Sequence, residues 1–267
     1  MLIDLWGVIH DGSSLYPRVL ETLYKIKNLD KEIIILSNVP RRKKTVITNL
    51  DELLLNRELY DDIAVSGELA YEFLAKNKCY GNKYFYIGSP DSEEVIPQSG
   101  KYTKVAKAIE ADFSIITSTL KCHNESIKLA MESLKHQLPL LCINPDNYSI
   151  TKSGKLSYCA GIIAKKYESL GGKVVYFGKP YEKIYQYALK SSGPSKRILA
   201  IGDSMDNDIK GANGVKVDSV LVCSGIHRHD LNISVGQKPT DNNLLKLFKK
   251  YSFRPTYILS TLSNIIL

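Results

Sequence analysis

An aspartate near the start of the chain stands where a short apolar strand is predicted to run into a turn. Ile3, Asp4 and Leu5 end this strand, and Gly7 follows in the turn. Glycine lets the backbone bend sharply and approach a ligand closely, because it has no Cβ. A carboxylate held there can act as a nucleophile or as a metal ligand. The alternative is an aspartate that caps the next turn.

Three further polar side chains follow apolar segments that are typical of buried strands. They are Ser37 after 33–36, Lys179 after 174–177 and Asp203 after 198–201. In open α/β sheets, ligands bind beyond the carboxyl ends of the strands. We therefore expect Asp4 and these three residues to lie at one edge of a sheet.

Together these four positions predict phosphoryl transfer. Asp4 and Asp203 at adjacent strand ends would repel each other unless a cation lay between them, and their hard oxygen atoms suit Mg²⁺. The Ser37 hydroxyl, the first amides of the following helix and the Lys179 ammonium would bind a phosphoryl group. Asp4 would attack phosphorus in line and form an aspartyl phosphate that water then hydrolyses. Asp208 would orient Lys179 or a metal-bound water.

Each residue alone also has a structural interpretation. Ser37 can cap a helix, Lys179 can be a solvated surface lysine, and the acids from Asp203 to Asp208 can mark a helix N-terminus. The order Asp, Ser, Lys, Gly-Asp, with each residue after its own strand, is far more specific. This order favours phosphoryl transfer.

The elements that must position these residues alternate between strand and helix. Strands are predicted at 33–36, 63–65, 84–87, 114–117, 140–143, 174–177, 198–201 and 220–223, and helices around 20–26, 40–50, 124–134, 159–170 and 184–188. This alternation predicts an α/β fold with a doubly wound parallel sheet. Residues 1–67 and 171–267 would form the core domain, and residues 68–170 an inserted, smaller α/β domain.

Four motifs in this order resemble those of a known family. They are D-x-W-G-V-x-H-D-G from Asp4, S-N from Ser37, G-K-P from Gly178 and G-D-x-x-x-x-D-I from Gly202. Over nearly its whole length the chain resembles the haloacid dehalogenase (HAD) superfamily, subclass IIA, the NagD-like phosphatases with a C2-type cap. The resemblance implies a Rossmann-like HAD core, with 68–170 as the cap domain.

The resemblance also implies roles for the matching residues. The implied catalytic or metal-binding residues are Asp4, Lys179, Asp203 and Asp208, and the implied phosphate or substrate contacts are Ser37, Asn38 and Asp146. Asp4 would be both nucleophile and Mg²⁺ ligand, and Asp203 a second ligand. Asp146 would contact the substrate from the cap side. Related proteins pair through their caps, which implies a homodimer.

Trp6 departs from the pattern of this family. The phosphatases that the chain resembles usually have a second aspartate at this position, which protonates the leaving oxygen and then activates water. The backbone carbonyl of Trp6 can still bind Mg²⁺, but the indole has no proton of suitable pKa, and loss of a general acid costs about 10²- to 10⁴-fold in rate. The departure leaves two hypotheses: a substrate with a good leaving group, or His10 as a substitute acid. A purely structural role for His10 is favoured over the second.

Composition limits the class of partner. The net charge is +8, which suits phosphorylated substrates, but no basic run is long enough to predict a nucleic-acid arm. The five cysteines are Cys79, Cys122, Cys142, Cys159 and Cys223, which contain no C-x-x-C pair. Neither a disulfide framework nor a zinc site is expected, and a reducing cytoplasm fits best. Neither a signal peptide nor a membrane span is predicted.

The leading hypothesis is a Mg²⁺-dependent cytoplasmic hydrolase of a small phosphorylated metabolite. The alternative is a catalytically weak or inactive protein of the same fold that binds a phosphometabolite or a protein partner. Trp6 favours this alternative, as does the short segment before Asp4, because only three residues precede it. A central strand usually has five or six residues, so a start further upstream is expected.

Overall fold

The computed structural model describes residues 1–76, 80–120, 123–150, 156–190 and 197–266. The strands are β1 (Leu2–Ile3), β2 (Ile34–Ser37), β3 (Asp62–Val65), β4 (Lys83–Ile87), β5 (Thr103–Lys104), β6 (Phe113–Ile116), β7 (Leu140–Cys142), β8 (Tyr148–Ile150), β9 (Leu156–Tyr158), β10 (Val174–Tyr176), β11 (Leu199–Gly202), β12 (Asp218–Val222) and β13 (Tyr257–Leu259). The α-helices are α1 (Val19–Asn28), α2 (Lys43–Glu52), α3 (Ser66–Lys76), α4 (His123–Lys135), α5 (Ala160–Ser169), α6 (Glu182–Ala188), α7 (Lys210–Gly214) and α8 (Asp241–Phe248). A π-helical turn at Met205–Ile209 leads into α7.

The first sheet has the strand order β13-β12-β11-β1-β2-β3, and all its strands are parallel. Its two-residue strand β1 lies near the centre of this sheet, between β11 and β2. Crossing helices cover both faces, which is the doubly wound arrangement that the sequence predicts.

Alternate residues of β1 reach opposite faces of this sheet. Ile3 packs in a cluster with Leu23 of α1 and Val46 of α2, while Leu2 packs in a second cluster with Ile184 of α6. Side chains alternate in this way along any strand, so a strand that is buried on both faces must be apolar throughout. The buried apolar runs of the sequence are explained by this geometry.

The second sheet has the order β10-β7-β6-β4-β5 and is also parallel. Strand β10, Val174–Tyr176, pairs with β7 of this sheet, whereas the prediction places it in the core domain that resumes at residue 171. Tyr176 packs in the same cluster as Tyr167 of α5. A short apolar run fits a buried strand of either sheet, and sequence pattern does not distinguish between them.

A two-stranded antiparallel hairpin, β8–β9, is absent from the prediction. Its strands are only three residues long each and are half-buried or exposed, and an alternation of three residues is too short to give a strong strand signal. Cys142, Cys159 and Cys223 are buried free thiols, while Cys79 and Cys122 lie outside the described residues. Within the described ranges, no helix is long and apolar enough to cross a membrane.

Candidate active site

Two of the predicted carboxylates lie at the ends of neighbouring strands. Strands β1 and β11 pair in parallel, and the Asp4 N–H donates to the Ile201 carbonyl at 2.8 Å. Asp4 and Asp203, which directly follow these strands, are therefore brought side by side and are both buried. The strand pairing itself places like charges together.

A third carboxylate completes this cluster. Oxygen atoms of Asp4, Asp203 and Asp208 all lie within 4.8 Å of one another. Burial raises the pKa of Asp4 to about 7, against the lowering effect of Lys179. Burial, and then repulsion from Asp4 and Asp208, raises the pKa of Asp203 well above its ordinary range. A cluster that resists ionisation in this way fits a divalent cation, whose charge would favour the ionised form.

The Lys179 ammonium lies between two members of the cluster. Its Nζ donates to Asp4 Oδ1 at 2.6 Å and to Asp208 Oδ1 at 2.7 Å. Burial would lower the pKa of Lys179, but the charges of Asp208 and Asp4 outweigh it and raise the pKa above its ordinary value. Asp208 was predicted to orient either Lys179 or a metal-bound water, and in the structure it contacts Lys179.

Lys179 reaches the site by a different route from the predicted one. It follows β10 of the second sheet and not a strand of the first, and Asn38 holds its backbone in place. The Asn38 Oδ1 accepts from the Lys179 N–H at 2.6 Å, and its Nδ2 donates to the Lys179 carbonyl at 3.0 Å. Gly178 is required here, because a Cβ on it would lie 2.3 Å from Asn38 Oδ1.

Asp146, in the loop after β7, lies beside Asn38 and Asn207. One oxygen, Oδ1, accepts from the side-chain amides of Asn38 at 2.8 Å and Asn207 at 2.7 Å. Burial raises the pKa of Asp146 above its ordinary value, against the lowering effect of Lys179. The loop after β7 is thereby joined to both the S-N and the G-D-x-x-x-x-D segments.

These residues line a cavity of about 340 Å³, together with Ser37, the buried last residue of β2. All of the predicted site residues therefore converge: Asp4, Trp6, Ser37, Asn38, Asp146, Lys179, Asp203 and Asp208 lie along its wall.

The loop after β12 contributes two residues to the site that no sequence motif predicts. The Ile226 N–H donates to Asp203 Oδ2 at 2.6 Å, and Gly225 packs so closely that a Cβ on it would lie 2.0 Å from the same oxygen. Asn207 was also missed. A signal was present, because Ser224 and Gly225 follow the predicted strand at 220–223 just as polar turns follow the other strands.

Two models of the same family match this chain. The model described as haloacid dehalogenase-like hydrolase matches residues 1–101, and the one described as HAD-hydrolase-like matches residues 176–265. The chain belongs to the haloacid dehalogenase-like hydrolases. The first match contains Asp4 and the S-N segment, and the second contains Lys179, Asp203 and Asp208.

Relatives of this HAD-like chain include named phosphatases. A dihydroxyacetone phosphatase of Corynebacterium glutamicum is 27% identical, with 99% of this chain and 89% of the relative covered. The ribonucleotide monophosphatase NagD of Escherichia coli is 22% identical, with 86% of this chain and 89% of NagD covered.

Solved structures share the fold. A haloacid dehalogenase-like hydrolase from Brucella suis superposes with a TM-score of 0.80 at 24% identity, covering 97% of this chain and 94% of that one. A glycerol phosphate phosphatase from Mycobacterium tuberculosis, solved with magnesium, gives a TM-score of 0.72 at 20% identity and covers 98% and 75%.

The Trp6 side chain of this HAD-like protein is held beside the cavity by contacts with Ile150, His10 and Gly12. Its Nε1–H donates to the Ile150 carbonyl of β8 at 3.2 Å, and its ring meets that of His10 edge-on with centroids 5.3 Å apart. Gly12 makes room for the ring, since a Cβ there would lie 2.2 Å from the indole. The indole is 37% exposed.

His10 has the surroundings of a structural residue. It is buried, its Nδ1 accepts from the Gly12 N–H at 2.8 Å, and burial lowers its pKa to about 4. The ring is therefore neutral near pH 7 and carries no readily donated proton, which a general acid requires. This geometry favours the structural interpretation over the substitute-acid hypothesis.

We predict that Gly7→Ala displaces Asp203. Gly7 has a φ of +85°, and a Cβ on it would lie 2.0 Å from Asp203 Oδ2. The combined backbone strain and overpacking should lower the free energy of unfolding by about 2–4 kcal/mol. Urea denaturation measures this loss, with Gly214→Ala as the matched control because no atom lies within 4 Å of a Cβ there. Equal stability of the two variants would contradict the prediction.

Proposed function

We propose that this protein is a Mg²⁺-dependent phosphatase of small phosphorylated metabolites that acts through an aspartyl phosphate on Asp4. The observation that carries the proposal is the buried Lys179 Nζ, which lies 2.6 Å from Asp4 and 2.7 Å from Asp208 at the wall of the cavity. A phosphoryl group beside Asp4 would meet both a nucleophile and a positive charge. The phosphatase names of the full-length relatives support this reaction class.

In this proposal, Asp4 attacks phosphorus and the leaving-group oxygen departs with the electron pair of the broken P–O bond. Lys179 and the Ser37 hydroxyl bind the phosphoryl oxygens and stabilise the charge that develops on them. Asp208 and Asn38 act on Lys179, the first by pairing its ammonium and the second by holding its backbone. Water then attacks the aspartyl phosphate and releases inorganic phosphate.

Asp4, Asp203 and the backbone carbonyl of Trp6 would hold the Mg²⁺. The close approach of the three carboxylates fits this ion, which binds through few protein oxygens and keeps several waters. When bound, Mg²⁺ neutralises negative charge on the carboxylates and on the phosphoryl group. The M. tuberculosis relative solved with magnesium supports a divalent metal at this site.

We assign the second sheet and its helices to a cap domain that limits substrate size. The prediction divides the chain into a core of 1–67 and 171–267 and a cap of 68–170, and we move the second boundary beyond β10 because this strand pairs with β7. Asp146 contacts the substrate from the cap side. The cavity of about 340 Å³ suits a small metabolite.

A second candidate function is binding without turnover, and Trp6 is the observation that favours it. Its indole lies at the cavity wall, and the indole N–H is not acidic enough to protonate a leaving group. Such a protein would bind a phosphometabolite or a protein partner and release no phosphate.

The test is a screen of purified protein against a panel of small phosphorylated metabolites, with released phosphate as the readout. We expect release from at least one compound with Mg²⁺, loss of release in excess EDTA and recovery when Mg²⁺ is restored. Binding of panel compounds with no phosphate release at any Mg²⁺ concentration would instead establish the second candidate function.

We further propose a cytoplasmic location and a homodimer. The described thiols, all buried and free, suit a reducing compartment. Tyr148, Leu156 and Tyr158 expose apolar surface on the β8–β9 hairpin, which supports pairing through this hairpin. Light scattering of the purified protein measures the oligomeric state.

A further inference from the structure

Three described residues that line the cavity, Asp11, Tyr16 and Cys159, are poorly suited to protonate a departing oxygen. Among the described lining residues, Asp11 is kept ionised, because hydrogen bonds from Ser13 and Ser14 outweigh the effect of burial and lower its pKa. Burial raises the pKa of Tyr16 and of Cys159 to about 12. Neither group gives up its proton readily near pH 7.

Two further charged side chains at the wall, Lys179 and Asp146, are held by protein partners. The Lys179 ammonium bridges Asp4 and Asp208, and one oxygen of Asp146 holds the amides of Asn38 and Asn207. A proton taken from Lys179 would leave an acidic cluster without its counter-charge, which is costly in a buried site.

Trp6 occupies the wall between the nucleophile and the hairpin. Its N–H, the one polar hydrogen of the indole, donates to the Ile150 carbonyl. The indole ring packs against His10 and Gly12. The ring is thus held in place by contacts on three sides.

We propose that this site is selective for phosphoryl donors whose leaving group departs as a stable anion, namely aryl, enol and acyl phosphates. The inference rests on the proposed function. The Asp4 carboxylate forms the new P–O bond, the bond to the leaving group breaks, and the leaving group keeps the electron pair with no proton transferred. An alkoxide is a poor leaving group under these conditions, so simple alkyl phosphates react slowly.

The second step follows the same logic. Water attacks the aspartyl phosphate, the P–O bond to Asp4 breaks, and the proton of the water passes to solvent or to the released phosphate. Without a positioned base this step is slow, so the phosphoenzyme accumulates. The first turnover should release one equivalent of leaving group in a burst.

The experiment measures kcat/KM for aryl phosphates from nitrophenyl to unsubstituted phenyl phosphate, and for glycerol phosphate as an alkyl ester. For the wild type, we expect kcat/KM to fall steeply along this series. In Trp6→Asp, which places a carboxyl group there, the gain for the alkyl ester should exceed that for the nitrophenyl ester by about 10²-fold. Trp6→Phe keeps a ring without an acid and should keep the steep dependence.

The outcomes separate the two proposals. A flat series with turnover that Asp4→Asn removes would overturn this inference alone, and would place a proton donor in the site, with Asp146 the first candidate. Absence of turnover with every ester, or equal turnover in Asp4→Asn, would overturn the proposed function and this inference with it. The wild-type series decides between these outcomes even if Trp6→Asp does not fold.

Discussion

Asp4→Asn is expected to abolish phosphate release while leaving the protein folded. The amide keeps the shape of the carboxylate but cannot form the aspartyl phosphate, so activity should fall by about 10⁴-fold or more. Phosphate release from the best compound of the metabolite panel measures the loss. Asp11→Asn is the matched control, because Asp11 also lines the cavity but contacts neither Lys179 nor the acidic cluster.

The same substitution should raise the stability of the folded protein near pH 8, although it abolishes activity. The pKa of Asp4 is about 7 in the folded protein against an ordinary value of 3.8, so the folded state binds a proton that the unfolded state releases between these values. The contribution of the protonated Asp4 carboxyl to the free energy of unfolding is therefore lost as pH rises from about 4 to about 7. Asparagine does not titrate, so in EDTA Asp4→Asn should be more stable at pH 8 by about 2–4 kcal/mol.

This stability advantage should shrink as pH falls from about 7 and disappear below about 4, where the Asp4 carboxyl becomes protonated in both states. Urea denaturation in EDTA at a series of pH values measures it. A variant that is inactive and also less stable than wild type at pH 8 would contradict the assignment of Asp4 as a buried, electrostatically strained nucleophile.

Lys179→Met is expected to reduce both activity and stability. The ammonium compensates two buried carboxylates, and removal of one partner from a buried ionic group costs about 3–5 kcal/mol. In a chain of this size the melting temperature should fall by about 6–20 °C. Loss of a positive charge beside the phosphoryl group should reduce kcat by about 10²- to 10³-fold.

A second substitution distinguishes the electrostatic cause from lost packing. Lys179→Met with Asp208→Asn removes one of the two uncompensated charges, so the pair should recover part of the lost stability but none of the activity. Lys166→Met, an exposed lysine of α5, is the control and should change neither. If the double variant is less stable than Lys179→Met alone, the charge-compensation account is wrong.

The sequence alone predicts the buried strands and the residues that follow them. Apolar runs such as 33–36 and 198–201 identify buried strands, since only strands covered on both faces are apolar throughout. The polar residues after them, Ser37 and Asp203, identify the reactive edge, because parallel strands end together. The local pattern is sufficient to place these residues at the edge of the sheet, because each directly follows the carboxyl end of its own strand.

Tertiary structure decided which elements are neighbours. Strand β10 has the same apolar pattern as a core strand but pairs with β7, so Lys179 enters the site from the second sheet. The contacts of Asn38 with Lys179 and Asp146 span more than one hundred residues, and Ile226 reaches Asp203 from a loop with no recognised motif. Such contacts depend on chain paths that no local periodicity encodes.

For Trp6 too, the sequence determines the chemistry of the side chain and the structure determines its contacts. Its identity, read from the sequence, excludes a proton donor at that position, because an indole N–H is not acidic. Only the structure shows that the N–H donates to Ile150, that burial lowers the pKa of His10, and that burial raises the pKa of Tyr16 and Cys159 at the cavity wall. The chemistry of a side chain belongs to the residue, whereas its partners and its pKa belong to the fold.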